Sequence, residues 1–370
     1  MIQEITYWVT LALMRGITTR RKNEIYVNCY TQTPRISIVD LFENETVWSQ
    51  LGLSDDEQSI FAAAKAELSN NSFLVEDLMS QGYNIIPLDS ADYPRTLKAN
   101  LKSSAPTVIY TKGNEALMKS CAVAIVGSRR ANAVSLQFTS NISQKAASEG
   151  KVTVSGFAKG VDKEALDGAL RVGGSSLIVL PQGIATFASG FKQYYKQIME
   201  GRVLVMSAFA PNAPWSVELA MARNPLIYGM ANEIYVAESD NKGGTWSGVM
   251  DGLRRKREIF VRFPEPQESN ANILLIEQGA KPVDSLGNLL DISTLGIKNP
   301  AEEKAKFEEQ VRKLLSTGGH TSKSILEVLK LDWTDAKVRK DLRSLSFIEE
   351  YKEKNRIYFR IKGTGEATLF

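Results

Sequence analysis

Between residues 121 and 284, short Val- and Ile-rich runs alternate with stretches whose apolar residues recur three and four positions apart. The runs lie at 122–126, 152–154, 177–180, 203–206, 233–236 and 259–263, and the helical spacing is clearest at 135–148 and 164–172. Continuous apolar runs bounded by turns suit strands covered on both faces, and helices between them suit crossovers, so the pattern predicts a doubly wound, mostly parallel α/β sheet.

The flanks differ. Residues 1–81 read as a small module of amphipathic helices, including 5–15, 37–42 and 55–68, with Ser54 as an N-cap and Trp8, Trp48, Phe61 and Phe73 as core. From 82 to 114 the pattern turns to short extended pieces, 84–88 and 108–110, which open the sheet domain of residues 82–284. A weakly periodic Gly-, Asn- and Pro-containing linker is expected at 285–302. Residues 303–370 then show three helix-like segments, 307–315, 322–331 and 335–345, and two strand-like pieces, 347–351 and 357–361, with charged residues between them. That order predicts a winged helix-turn-helix. Lys337, Arg339, Lys340 and Arg343 on its third helix are the candidate DNA contacts, although Asp335, Asp341, Glu349, Glu350 and Glu353 dilute the charge.

Two sheet turns carry candidate chemistry. The run 123–126 ends in Gly127-Ser128-Arg129, and 152–154 ends in Ser155-Gly156, with Lys159-Gly160 just beyond. Glycine lets backbone N–H groups approach a ligand, and a following helix N-terminus adds positive potential suited to phosphate. Glycines alone equally satisfy a tight turn. Two such turns side by side, with Arg129 and Lys159, point to a phosphate-bearing ligand along the carboxyl edge of the sheet.

Composition narrows the alternatives. A formal charge of +3 over 370 residues means that any basic surface is local. Cys29 and Cys121 have no metal-ligand spacing, so neither a metal site nor a cofactor is expected, and a reduced cytoplasmic setting is. No basic-then-apolar leader pattern and no membrane-length apolar run is seen, so no membrane partner is expected. The single histidine, His320, sits in a turn-like stretch and is read as an exposed loop residue, which argues against histidine catalysis.

An ordered set of motifs resembles the DprA/Smf DNA-processing family. It comprises Asp89…Tyr93-Pro94, Ile109-Tyr110-Thr111-Lys112-Gly113-Asn114, Val126-Gly127-Ser128-Arg129 and Ser155-Gly156-Phe157-Ala158-Lys159-Gly160-Val161-Asp162. It continues with Leu180-Pro181-Gln182-Gly183, Arg223-Asn224, Val236-Ala237-Glu238 and Gly243-Gly244-Thr245. The resemblance implies an extended Rossmann fold and a non-enzymatic protein. Such a protein grips the backbone of single-stranded DNA, dimerises, and loads a RecA-type recombinase during recombination, uptake or transformation. By motif, Gly127, Ser128, Arg129, Ser155, Gly156, Lys159, Gly160, Arg223, Asn224, Gly243, Gly244 and Thr245 would bind phosphate, with Lys192 by approximate position and Asp162 orienting the turn.

The chain departs from the family pattern near the pocket. Ala165-Leu166 stands where the family has Ala-His, Phe187 to Phe191 replaces a Tyr-Pro element, and Ser207-Ala208 replaces Ser-Glu. Phe187 or Phe191 is read either as a base-stacking platform or as core. The departures keep two other readings open: a nucleotide-signal sensor, as in phage defence, and a winged-helix regulator of duplex DNA. The glycine turn also resembles that of lonely-guy phosphoribohydrolases, but Gly248 and Val249 sit where a catalytic glutamate is wanted, leaving Glu238 and Asp251 as the nearby carboxylates. The run Arg254-Arg255-Lys256-Arg257 is either a DNA stripe or a solvated helix end.

Overall fold

The computed structural model describes residues 2–297 and 300–363. It divides into two compact units, Met1–Asp291 and Ile292–Phe370.

The first unit opens with α1 (Ile2–Leu13), α2 (Thr19–Thr31), α3 (Ile38–Glu43), α4 (Thr46–Gln50), α5 (Asp55–Ala66) and α6 (Leu68–Ser80). Ser54 caps α5 as expected, and both it and Ser37 at α3 form reciprocal capping boxes, with Glu57 and Asp40. Trp8, Phe42, Trp48 and Phe61 fill the helical core, with the Phe42 and Phe61 rings 5.4 Å apart. Phe73 departs from expectation: it is 72% exposed on α6, so helical spacing alone misassigned its face.

The sheet segment follows as β1 (Asn84–Pro87), α7 (Arg95–Leu101), β2 (Val108–Gly113), β3 (Ala122–Gly127), α8 (Ala133–Ser148), β4 (Val152–Ser155), α9 (Val161–Arg171) and β5 (Ser175–Val179). It continues through α10 (Ala188–Gln193), α11 (Tyr195–Met199), β6 (Val203–Ser207), α12 (Val217–Met230), β7 (Glu233–Glu238), α13 (Gly244–Arg254), β8 (Ile259–Arg262), α14 (Asn272–Glu277) and β9 (Lys281–Val283). Among the described residues these strands make one nine-stranded sheet, ordered β1-β2-β6-β5-β4-β3-β7-β8-β9. From β6 to β9 all pairs are parallel, while β1 with β2 and β2 with β6 run antiparallel. The fold is the expected doubly wound α/β sheet, extended by an antiparallel edge. Successive strands step outward from β3 to β6, and the chain then returns to place β7 on the other side of β3. That reversal opens a crevice at the carboxyl ends of β3 and β7, the usual ligand position in such sheets.

Strand β9, Lys281-Pro282-Val283, was not legible as a run, being three residues long with a proline that an edge strand tolerates. The expected linker at 285–302 begins as part of the first unit. Asp284 accepts the amides of Leu286 and Asn288, Leu289 bridges to Val283, and the space beside Gly287 is filled by Ile142. Residues 298 and 299 of that stretch, and 364–370 of the expected C-terminal module, lie outside the described residues.

The second unit contains α15 (Pro300–Leu315), β10 (His320–Thr321), α16 (Ser322–Val328), α17 (Asp335–Ser344), β11 (Ile348–Glu353) and β12 (Arg356–Ile361). Phe307, Val311, Ile325, Val338, Leu342 and Phe359 form its core. β11 and β12 meet through Lys354-Asn355, both at positive φ, as a two-residue hairpin requires. His320 is a correction: it pairs with Phe359 in β10, is half-buried, and has Nδ1 3.0 Å from Ser324 Oγ.

Candidate nucleic-acid interface

Loops after five adjacent strands, β6-β5-β4-β3-β7, build two clefts at the carboxyl edge. The first is bounded by residues 126–130 at the end of β3, Ala158 and Asp162 after β4, residues 239, 240 and 242–245 after β7, and Arg223, Asn224 and Tyr228 of α12. The second holds Gly156, Phe157, Ala158 and Lys159, with Pro181, Gln182 and Phe187 after β5 and Trp215 after β6. Arg129, Arg130, Ala158 and Arg223 belong to both, and each cleft encloses ≈ 460 Å³.

The glycines explain how the turns fit together. Gly160 has φ +78°, and a Cβ there would stand 2.5 Å from the Ser128 carbonyl oxygen. Val161 N–H donates to that same oxygen at 3.3 Å. The β3 and β4 turns therefore interlock through backbone contacts that only glycine permits. Gly156 is needed for another reason: a Cβ there would fall on the guanidinium of Arg223.

Arg223 lies on α12 with its side chain 95% buried, and Nη1 donates to Asp162 at 3.3 Å. Its Nε, also buried, has no hydrogen-bond partner among the described residues. An arginine carries five N–H donors, so this pairing with the buried Asp162 leaves capacity for a further acceptor. Asp162, expected to orient the turn, is instead paired with Arg223 of α12. Pro225 interrupts the backbone hydrogen-bond ladder of α12 in the turn that carries Arg223 and Asn224.

The three predicted turns are not equivalent. Asn132 caps α8 by accepting the Ser135 amide, and Ser128 N–H already donates to the Glu238 carbonyl at 3.1 Å. The first turn of α9 contains Asp162 and Glu164, which offset its terminal positive potential. α13 differs, since Gly243 has no side chain to cap it and its first turn holds no acidic residue. Its first amides, at Gly244 and Thr245, line the first cleft beside Lys242.

Most of the expected residues converge here: Gly127, Ser128, Arg129, Arg223, Asn224, Gly243, Gly244 and Thr245 line the first cleft, and Gly156 and Lys159 the second. Gly160 shapes the wall. Ser155 is fully buried and donates its hydroxyl to Ile125 O at 2.9 Å, which commits it to the sheet. Lys192 is exposed on α10 and lines neither cleft. Sequence reasoning missed Arg130, Lys242 and Trp215. Only Arg130, adjacent to Arg129, and Lys242, just before the glycine pair, carried a local signal.

The two carboxylates considered for hydrolysis are otherwise engaged. Glu238 accepts the Ser135 hydroxyl at 2.8 Å and the Asn132 amide at 3.2 Å. Burial works against ionisation of Asp251, but hydrogen bonds from Arg255 and Arg254 outweigh it and hold the carboxyl below its usual range. Arg257 donates to the Tyr228 and Ala231 carbonyls at the end of α12, so the basic run is partly a helix clamp. In the second unit Arg339 pairs with Asp335 at 3.0 Å and Arg343 with Glu350 at 2.8 Å. Lys337 lies 3.9 Å over the Trp333 ring, and Lys340 is exposed.

The family model for DNA recombination-mediator protein A matches residues 84–293, more than half of the chain and the whole of this sheet. The chain belongs to that family. DNA processing protein DprA of Bacillus subtilis is 27% identical over 223 residues, spanning 57% of this chain and 71% of that protein. Protein Smf of Synechocystis is 29% identical over 224 residues, spanning 58% of this chain and 55% of that protein. DprA of Streptococcus pneumoniae is 30% identical over 183 residues, spanning 49% of this chain and 64% of that protein. The X-ray structure of the Streptococcus pneumoniae protein superposes with a TM-score of 0.59 at 23% identity, covering 75% of this chain and 94% of that one, a likeness of fold. Family membership places the chain in DNA processing during recombination. No helix among the described residues is long and apolar enough to cross a membrane.

Proposed function

We propose that the chain binds single-stranded DNA, with the sugar-phosphate backbone lying along the two clefts at the carboxyl edge of the sheet. Arg129, Lys159, Arg223 and Lys242 would supply the cations, and the uncapped start of α13 at Gly243-Gly244-Thr245 the backbone donors. Arg223 carries the reading. A guanidinium buried in the wall between two clefts, with Nε unpartnered, is costly in isolation and suits an anionic ligand. Binding of this kind is sequence-tolerant and strongly salt-dependent.

The protein would act without catalysis, since Glu238 and Asp251 are held by other groups. Membership of a recombination-mediator family supports delivery of the bound strand to a RecA-type recombinase by a homodimer. We read the second unit as a winged helix in which Lys337 and Lys340 are the better phosphate contacts, because Arg339 and Arg343 are paired within the unit.

Fluorescence anisotropy with labelled oligo-dT, duplex and dinucleotide across a salt series tests this. Tight, salt-sensitive binding of oligo-dT, lost in Arg129→Glu and Lys159→Glu, is expected. Binding of the dinucleotide alone would move the site to a nucleotide-sensing role, and preference for duplex would favour the regulator.

A further inference from the structure

The second cleft contains a half-exposed indole among cations, and no predicted role accounts for it. Trp215 is 50% exposed and lines this cleft with Arg129, Lys159, Phe187 and Arg223. Among the described residues no other ring and no cation lies against it.

The loop that carries it is firmly held. Gly183 N–H donates to Ala213 O at 2.9 Å, Ala185 N–H to Pro211 O at 3.0 Å, and Ala213 N–H to Ala210 O at 2.8 Å. On the other side, Ser216 caps α12 by accepting the Leu219 amide at 3.1 Å. Trp215 therefore sits between Pro214 and a helix cap, on a segment tied to the β5 turn. The aromatic residues singled out from sequence are differently placed. Phe187 is 4% exposed and packs edge-on against Phe157 at 5.0 Å and Phe191 at 5.4 Å, so it is wall rather than platform.

We propose that Trp215 is the base-stacking platform of the site: a nucleobase of the bound strand lies on its indole in the second cleft while the adjoining phosphates engage Arg223 and the first cleft. This rests on the strand-binding reading above. A large flat apolar face carried on a firmly held loop beside cations matches the two surfaces of a nucleotide, and stacking tolerates any base.

The test compares wild type, Trp215→Ala and Trp215→Phe by anisotropy, using oligo-dT and an abasic deoxyribose-phosphate oligomer of equal length. Trp215→Ala should weaken oligo-dT binding by between about fivefold and a hundredfold. It should leave the abasic oligomer's affinity and the salt slope unchanged, and Trp215→Phe should restore most of the loss. Arg129→Glu should weaken both ligands. Unchanged oligo-dT affinity in Trp215→Ala, or equal loss for both oligomers, would overturn the stacking role while leaving strand binding intact. Wild-type protein that binds neither oligomer would overturn strand binding, and the stacking role with it.

Discussion

The guanidinium of Arg223 fills the space that a side chain at residue 156 would need, and Gly156 is the residue that leaves it open. Because α12 and the β4 turn meet in this way, a methyl group added at one position tests the placement of the other. Gly156→Ala should lower stability by about 1–3 kcal/mol, the usual cost of overpacking, and weaken oligo-dT binding by displacing Arg223. The double variant Gly156→Ala/Arg223→Ala should be less destabilised than the sum of its single changes, since contacting residues couple. Additive thermal and urea denaturation data would show that the guanidinium is not held there.

Arg257 and Arg254 are near neighbours in one basic run but do different work. Arg257 donates to the Tyr228 carbonyl at 3.0 Å and to that of Ala231, satisfying the carboxyl end of α12, whereas Arg254 is exposed beside Asp251. Arg257→Ala should cost about 1–3 kcal/mol in urea unfolding, because it strands two carbonyls. Arg254→Ala should change stability by less than about 0.5 kcal/mol. Equal effects would rule out the clamp. The distinction also means that any binding lost in an Arg254→Glu/Arg257→Glu pair reports damage to α12 as well as lost charge.

Glu268 links the sheet to acid stability. Hydrogen bonds from Arg262 outweigh burial and, helped by Asn132 and the Glu265 amide, bring its carboxyl from 4.5 down to about 2. A folded value below the unfolded one means that the unfolded chain binds the proton more readily. The associated stability is therefore fully present above about pH 4.5 and is lost as pH falls through about 2. Its size is of the order of 3 kcal/mol. Glu268→Gln should be less stable than wild type at pH 7, since Arg262 is almost wholly buried, and the gap should close on acidification. A gap that stays constant from pH 7 to 2.5 in urea titrations would contradict this.

The positions of strands β1 to β8 along the chain were legible because each core strand is a continuous apolar run with turn residues at its end, whereas their order in the sheet was not. β9 and β10 were not, being three and two residues long. At the site, Gly127, Arg129 and Lys159 could be found because strand–turn–helix junctions announce themselves locally, whereas Gly243 came only with the family motif. Trp215 and the Arg223–Asp162 pair could not, since Asp162 lies 61 positions before Arg223 and only the crossover of α12 over the switch point brings them together. Phe73 and Ser155 show the converse limit. Helical spacing suggested a core ring at Phe73 and the family motif a phosphate-binding Ser155, but packing turned the ring to solvent and the hydroxyl into the sheet.

If the strand runs along both clefts, their cations should each contribute a released counterion. Removing one phosphate contact to single-stranded DNA lowers the slope of log affinity against log salt by about 0.7. Arg129→Gln, Lys159→Gln and Lys242→Gln should each show that reduction, and the triple variant about three times as much, because the three side chains are exposed. Lys192→Gln should leave the slope unchanged, since Lys192 lines neither cleft. A slope altered by Lys192→Gln but not by Lys242→Gln would put the backbone on the α10 side of the edge, away from α13. The comparison therefore discriminates between two paths for the strand on the same fold.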